Sequence, residues 1–110
     1  MLMAIIEYET NPGTDDEFTS LLGGLDAQLD TIDGFISADA ATSIKHSGML
    51  YEVSYWRDAE ALATWARDPV HGIATRAGRE RLLKWYRIRV GEVTRDWSVG
   101  DIPSENPAAC

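Results

Sequence analysis

Cysteine is almost absent from this 110-residue sequence, which carries only Cys110, at its last position. A single cysteine excludes an internal disulfide. Long apolar runs are also missing, and no stretch approaches the roughly 20 apolar residues of a membrane span. The N-terminal stretch MLMAIIEYET lacks the basic start and long apolar region of a signal peptide. We therefore expect a cytoplasmic protein that does not enter a membrane.

Basic residues are scarce as well, with ten Lys and Arg against 18 Asp and Glu, and the net charge is -8. This balance argues against nucleic acid and anionic membranes as partners, because both require a basic surface. Most of the basic residues lie between Arg76 and Arg95, where they could still meet an anionic small molecule. The sequence contains no glycine-rich nucleotide loop, P-loop or Ser/His/Asp arrangement.

The first half of the chain predicts a strand, a helix and a second strand. Met3 to Glu9 is apolar on both alternating faces, which indicates a strand covered on both sides. Thr14 with Glu17 three residues later forms a predicted capping box. The helix that follows carries an apolar stripe at helical spacing. Its members are Phe18, Leu21, Leu22, Leu25 and Leu29.

The second half predicts strands at 35–43 and 49–56, two short helices and a last strand at 85–97 with a bulge at Gly91. Asp58 is predicted to cap the first of these helices, and Asp68-Pro69 to start the second. The order β-α-β-β-α-β is that of the ferredoxin-like α+β fold, a four-stranded antiparallel sheet with helices on one face. We assign residues 1–97 to this domain and 98–110 to a C-terminal tail.

The sheet face without helices also carries apolar side chains, including Tyr51 and Tyr55. An exposed apolar sheet face is unfavourable in a monomer, so a partner is expected to cover it. A second copy packing sheet to sheet is the simplest partner, and we predict a homodimer.

The densest family signal is the stretch SYWRDAEALATWARDPVHGIATRAGRERLLKWYRIRVGEVTRDW. It resembles the antibiotic biosynthesis monooxygenase (ABM) domain family of small, dimeric α+β barrel proteins. The resemblance implies a cofactor-independent monooxygenase that oxidises aromatic substrates with O₂. The family also includes haem-degrading enzymes and members without known activity. Trp56 matches a tryptophan of the haem degraders, but the first strand lacks their asparagine and His71 lies about one helical turn early.

His71 is the candidate base for a phenolic or enolic proton, although a structural histidine near a helix start is the alternative. Trp56, Trp65 and Tyr55 could line a pocket for an aromatic ligand, or simply pack in the core. No cluster of metal ligands surrounds His71 in the sequence.

Arg89 could hold a substrate anion, as could Arg79 and Arg87, although surface ion pairs are the commoner fate of such residues. Glu52 interrupts an apolar strand, where burial can raise the pKa of a carboxyl and make it an acid or base. An ion pair at a dimer interface is equally compatible with its position.

The resemblance, taken together with these residues, implies a cofactor-independent monooxygenase acting on a phenolic, quinol or polyketide-like aromatic. His71 and Arg89 would be catalytic, and Trp56, Trp65, Tyr55 and Glu52 would bind substrate. A non-catalytic module that binds a small hydrophobic ligand or only dimerises is the alternative, and a haem-binding protein comes third.

Overall fold

Residues 1–103 form one antiparallel sheet and three α-helices in the computed structural model of this protein. Residues 104–110, which include Cys110 and the end of the predicted tail, lie outside the described residues. The sheet has the strand order β2-β3-β1-β4, which confirms the ferredoxin-like prediction. The elements in chain order are β1 Leu2–Thr10, α1 Asp15–Leu29, β2 Phe35–Thr42, β3 Leu50–Trp56, α2 Ala59–Arg67, α3 Pro69–Ala77 and β4 Leu83–Glu92.

Strand register decides which side chains meet the helices. Ile6 at the centre of β1 lies opposite Glu52 of β3 and Ile88 of β4. Because side chains alternate along a strand, these three point to the same side of the sheet. We call this side the helix face; it also carries Ala4, Tyr8, Ser54 and Trp56. The opposite side is the open face, and it carries Met3, Ile5, Glu7, Val53, Tyr55 and Arg89.

Two of the three predicted helix starts have the capping geometry expected from the sequence. The carboxylate of Asp58 accepts the backbone N–H of Ala61, and that of Asp68 accepts the N–H groups of Val70 and His71. The prediction of a capping box at Thr14 is wrong. The Thr14 hydroxyl donates to the carbonyl oxygen of Asn11 at 2.7 Å and makes no cap bond.

The last strand begins earlier and ends earlier than predicted. A π-helical turn over Gly78–Leu82 follows α3 directly, so β4 starts at Leu83. It ends at Glu92, which pairs with Leu2, the first residue of the neighbouring strand β1. The predicted bulge at Gly91 is wrong, because Gly91 pairs regularly with Met3 and the register shifts between Glu9 and Thr10 instead.

The main core lies between β3, α1 and α2. Leu29, Trp56, Ala61 and Trp65 are buried against one another there. Gly34, at the start of β2, has a positive φ of 89°, and a Cβ there would lie 2.6 Å from the Cβ of Ala61. Glycine is therefore required at this close contact. Within residues 1–103, every helix falls short of the length and apolar character needed to cross a membrane.

Candidate functional site

A cleft separates the helix face of the sheet from α1 and α3. Its larger compartment has a volume of about 290 Å³ and a smaller one about 110 Å³. The two compartments share five lining residues, so we describe them together as the helix–sheet cleft. These shared residues are Ile6, Leu22, Leu25, Glu52 and His71.

His71 lies in the first turn of α3, where the cap residue Asp68 fixes the backbone. The Asp68 carboxylate accepts the His71 N–H at 3.2 Å, and it also accepts the side-chain amide of Gln28 at 2.8 Å. The second bond ties α1 to the start of α3. The imidazole is thereby held between the two helices and the sheet.

The two ring nitrogens of His71 differ in their surroundings. Its Nδ1 atom is buried without a hydrogen-bond partner, while Nε2 lies 3.5 Å from the Thr75 hydroxyl. Burial lowers the pKa of His71 below its ordinary value, although the Trp65 carbonyl and the charge of Asp68 act in the opposite direction. The imidazole is therefore neutral near neutral pH and able to accept a proton.

A row of stacked rings supports the imidazole. The His71 ring stacks on Trp65 with a centroid distance of 4.4 Å, and Trp65 stacks on Trp56 at 6.3 Å. Trp56 is held in turn by the edge of Phe35 at 5.3 Å and by a 2.9 Å bond from its Nε1 to the Ser54 hydroxyl. We call Phe35, Trp56, Trp65 and His71 the aromatic row.

Glu52 lies at the centre of the helix face and lines both compartments of the cleft. No hydrogen bond or ion pair to it is found among the described residues. Burial, followed by the negative charge of Asp26, raises the pKa of Glu52 to about 7. The carboxyl is therefore protonated in a substantial fraction of molecules at neutral pH.

Two further cleft residues were missed in the sequence. Asp26 follows Leu22 by four positions on α1, so it lies on the face that meets the cleft. Tyr8 on β1 lines the smaller compartment, and burial, followed by the charge of Glu52, raises the pKa of its phenol. The spacing of Asp26 from the apolar stripe was the available signal, and alternation along β1 was the signal for Tyr8.

Tyr55 and Arg89 do not join the other predicted site residues. Tyr55 pairs with Met3 on the open face, and Arg89 pairs with Ile5 on the same face. Arg89 donates to Glu7 at 3.2 Å, and Arg87 donates to the same carboxylate. The structure therefore brings together His71, Trp56, Trp65 and Glu52, and separates Tyr55 and Arg89 from them by the thickness of the sheet.

Possible metal ligands are dispersed across the described part of the chain. Within residues 1–103, no three His, Cys, Asp or Glu side chains come close enough together to hold a metal ion.

The fold agrees with comparisons to known proteins. The family model for antibiotic biosynthesis monooxygenase matches residues 1–76. This chain belongs to the antibiotic biosynthesis monooxygenase family. A Pyricularia oryzae protein named jasmonate monooxygenase ABM is 33% identical over 94 residues, which cover 86% of this chain. The match spans only 44% of that relative's length.

Solved structures with low sequence identity share the ABM fold. A Deinococcus radiodurans protein, crystallised as a candidate antibiotic biosynthesis monooxygenase, has a TM-score of 0.79 at 14% identity, over 92% of this chain and 100% of its own. A Mycobacterium tuberculosis protein has a TM-score of 0.77 at 20% identity, over 88% and 98%. At these identities the likeness establishes the architecture, and the chemistry must be argued from the cleft.

Proposed function

We propose that this ABM protein is a cofactor-independent monooxygenase that oxidises a phenolic, quinol or polyketide-like aromatic with O₂ in the helix–sheet cleft. The observation that carries the proposal is the buried Nδ1 of His71, which has no hydrogen-bond partner and belongs to a ring stacked on Trp65. Family membership and the relative named jasmonate monooxygenase support oxygenation in general. The aromatic substrate class rests on the flat, apolar walls formed by Trp56 and Trp65.

The proposed reaction begins when the neutral imidazole of His71 accepts a proton from a hydroxyl or acidic C–H of the substrate. The resulting anion is electron-rich and transfers one electron to O₂. The substrate radical and superoxide combine to form a C–O bond, and the peroxide takes back the proton from His71. Loss of water leaves a carbonyl, so one oxygen atom enters the product and the substrate supplies all four electrons.

Oxygen consumption by metal-free protein tests the reaction across a panel of hydroquinones and anthrones. A positioned base contributes about 10²- to 10⁴-fold to a rate, so His71→Ala is expected to lower turnover by about that factor. His46→Ala is the matched control, because His46 is exposed in the β2–β3 connection.

Two results would contradict parts of the proposal. If no substrate consumes O₂ faster than its autoxidation blank, the monooxygenase assignment loses its support. If turnover appears and survives His71→Ala, oxygenation stands but His71 is not the base.

A non-catalytic role in binding a small hydrophobic ligand is the second candidate. The placement of Arg89 favours it, because the cation assigned to hold a substrate anion lies on the open face in contact with Glu7. Binding of an uncharged aromatic in calorimetry, together with no oxygen uptake, would favour this role.

Haem binding is the third candidate, and the cleft fits haem poorly. Haem carries two propionates, and neither compartment of the cleft is lined by Lys or Arg. Asp26 and Glu52 would also repel these groups. Titration with hemin is the test: a saturable Soret shift that His71→Ala abolishes would restore the haem hypothesis.

We also propose that the protein is a homodimer that pairs through its open face. Met3, Ile5, Val53 and Tyr55 give this face an apolar centre, and Trp85 at its edge is 36% exposed. Sedimentation at micromolar concentration is expected to show a dimer, and Val53→Glu is expected to dissociate it. A stable monomer of wild-type mass, 12.2 kDa, would contradict the proposal.

A further inference from the structure

The charge of the helix–sheet cleft determines which aromatic ligands it can accept. Two carboxyl groups border its larger compartment, from Asp26 on α1 and Glu52 on β3. Asp39 of the edge strand β2 also lines it, but Asp39 pairs with Val53, so its side chain lies on the open face. Among the described residues, the lining of both compartments includes no Lys or Arg. An anionic ligand would therefore lose its hydration in this cleft and gain no cation in return.

Glu52 is the carboxyl that a ligand in either compartment must approach. It lies at the junction of the two compartments, opposite Ile6 of β1 and Ala40 of β2, in the middle of the sheet. Since its oxygens make no hydrogen bond or ion pair with the described protein, they remain available to a ligand. A protonated carboxyl donates one hydrogen bond and accepts others, whereas an ionised one only accepts.

We propose that the cleft selects uncharged substrates and excludes carboxylates, and that protonated Glu52 anchors the substrate by donating a hydrogen bond to its carbonyl or hydroxyl oxygen. This inference rests on the proposed function only for the identity of the site, because selection acts on binding. The same donor stabilises the anion that forms when His71 takes the substrate proton, since hydrogen bonds to anionic oxygens are stronger than those to neutral ones.

The groups that face Glu52 determine how its protonation depends on pH. Asp26 reaches it from α1, Tyr8 from β1 and His71 from α3, while Tyr86 of β4 lines the smaller compartment. The charge of Asp26 raises the pKa of Glu52, and the raised pKa of Tyr8 keeps its phenol neutral. His71 is neutral as well, since burial lowers its pKa. None of these groups supplies a positive charge that would hold Glu52 ionised.

Matched ester and acid pairs test the selection by isothermal titration calorimetry, without need for turnover. The probes are methyl jasmonate against jasmonate, and methyl 4-hydroxybenzoate against 4-hydroxybenzoate. Both acids are ionised at pH 6 and above. A like charge within the cleft is expected to weaken binding of each acid by about 10- to 100-fold relative to its ester.

Glu52→Gln separates the charge from the shape of the side chain, because the amide has nearly the same size and keeps a hydrogen-bond donor. In wild-type protein, affinity for methyl jasmonate, which has no ionisable group, is expected to fall by about tenfold between about pH 6 and pH 8.5, as Glu52 ionises and its donor is lost. In Glu52→Gln, this affinity is expected to be independent of pH, and at about pH 8.5 jasmonate is expected to bind more tightly than to wild-type protein. Glu60→Gln, at an exposed position of α2, is the control and is expected to behave as wild type.

Several outcomes would overturn the inference. They are equal binding of acid and ester to wild-type protein, discrimination at about pH 8.5 that Glu52→Gln leaves unchanged, or no binding of any of the four probes. Discrimination without any oxygen uptake would support the inference and contradict the proposed monooxygenase instead, so the two hypotheses fail separately.

Discussion

Glu7 and Glu52 lie on adjacent central strands, one residue row apart, and point to opposite faces of the sheet. On the open face, Glu7 is buried to 8% exposure and its carboxylate accepts from both Arg87 and Arg89. On the helix face, the carboxyl of Glu52 makes no hydrogen bond or ion pair within the described residues, and the charge of Asp26 lies near it. Cations on the neighbouring strand stabilise the first carboxylate, whereas the second keeps its hydrogen-bonding capacity for a ligand.

The largest stability difference between the two faces is expected at tryptophan. Trp65 is 8% exposed in the aromatic row, whereas Trp85 on the open face is 36% exposed. Trp65→Ala is expected to lower the free energy of unfolding by about 3–5 kcal/mol, the range for buried aromatic truncations. Trp85→Ala should cost much less, because the side chain is already partly exposed in the folded subunit and leaves no comparable cavity. Urea denaturation at one protein concentration measures both, and equal losses would mean that the faces do not differ in this way.

The next difference concerns pH. The folded pKa of Glu52 is about 7, above its ordinary value of 4.5, so the folded state holds the proton more tightly than the unfolded state. This contribution to stability is complete below about pH 4.5 and is lost as pH rises towards 7. The free energy of unfolding of wild-type protein should therefore fall by about 3 kcal/mol relative to that of Glu52→Gln across this pH window. Urea denaturation of both proteins at several pH values from about 4.5 to 8 measures this change. A difference in unfolding free energy that stays constant with pH would contradict the prediction.

The smallest effect is expected at Glu7. The side chains of Arg87 and Arg89 are 53% and 63% exposed, so solvent screens their attraction to the carboxylate. Glu7→Gln keeps an acceptor and removes the charge, and we expect it to lower stability by about 1 kcal/mol. Oxygen uptake should be unchanged. A loss of activity in Glu7→Gln comparable to that in His71→Ala would show that the open face takes part in the reaction.

Much of the fold could be read from local sequence signals. Asp58 and Asp68 mark helix starts because an aspartate cap and a following proline act within one turn. The end of β4 could not be read in the same way. Val93 and Trp97 beyond Glu92 are apolar and compatible with a longer strand, but pairing ends where β1 begins at Leu2, which is a tertiary constraint.

The site could be predicted only in part, for a similar reason. Alternation along β3 places Glu52 and Trp56 on one face and Tyr55 on the other, but both faces are apolar, so alternation does not reveal which one the helices cover. The structure shows that the face with Glu52 is covered. Arg89 joins Tyr55 on the uncovered face because β4 pairs with β1 in the register that sets Arg89 beside Ile5.

The four tryptophans lie in two kinds of environment that fluorescence can distinguish, because two belong to the aromatic row and two do not. Trp56 and Trp65 are 1% and 8% exposed, whereas Trp85 and Trp97 are 36% and 78% exposed. Buried indoles emit at shorter wavelengths than hydrated ones, and soluble quenchers such as iodide reach only the exposed pair. Since Trp65 touches the His71 ring, the blue, iodide-resistant part of the emission spectrum reports directly on occupancy of the cleft. The protein thus contains its own fluorescent probe for ligand screening.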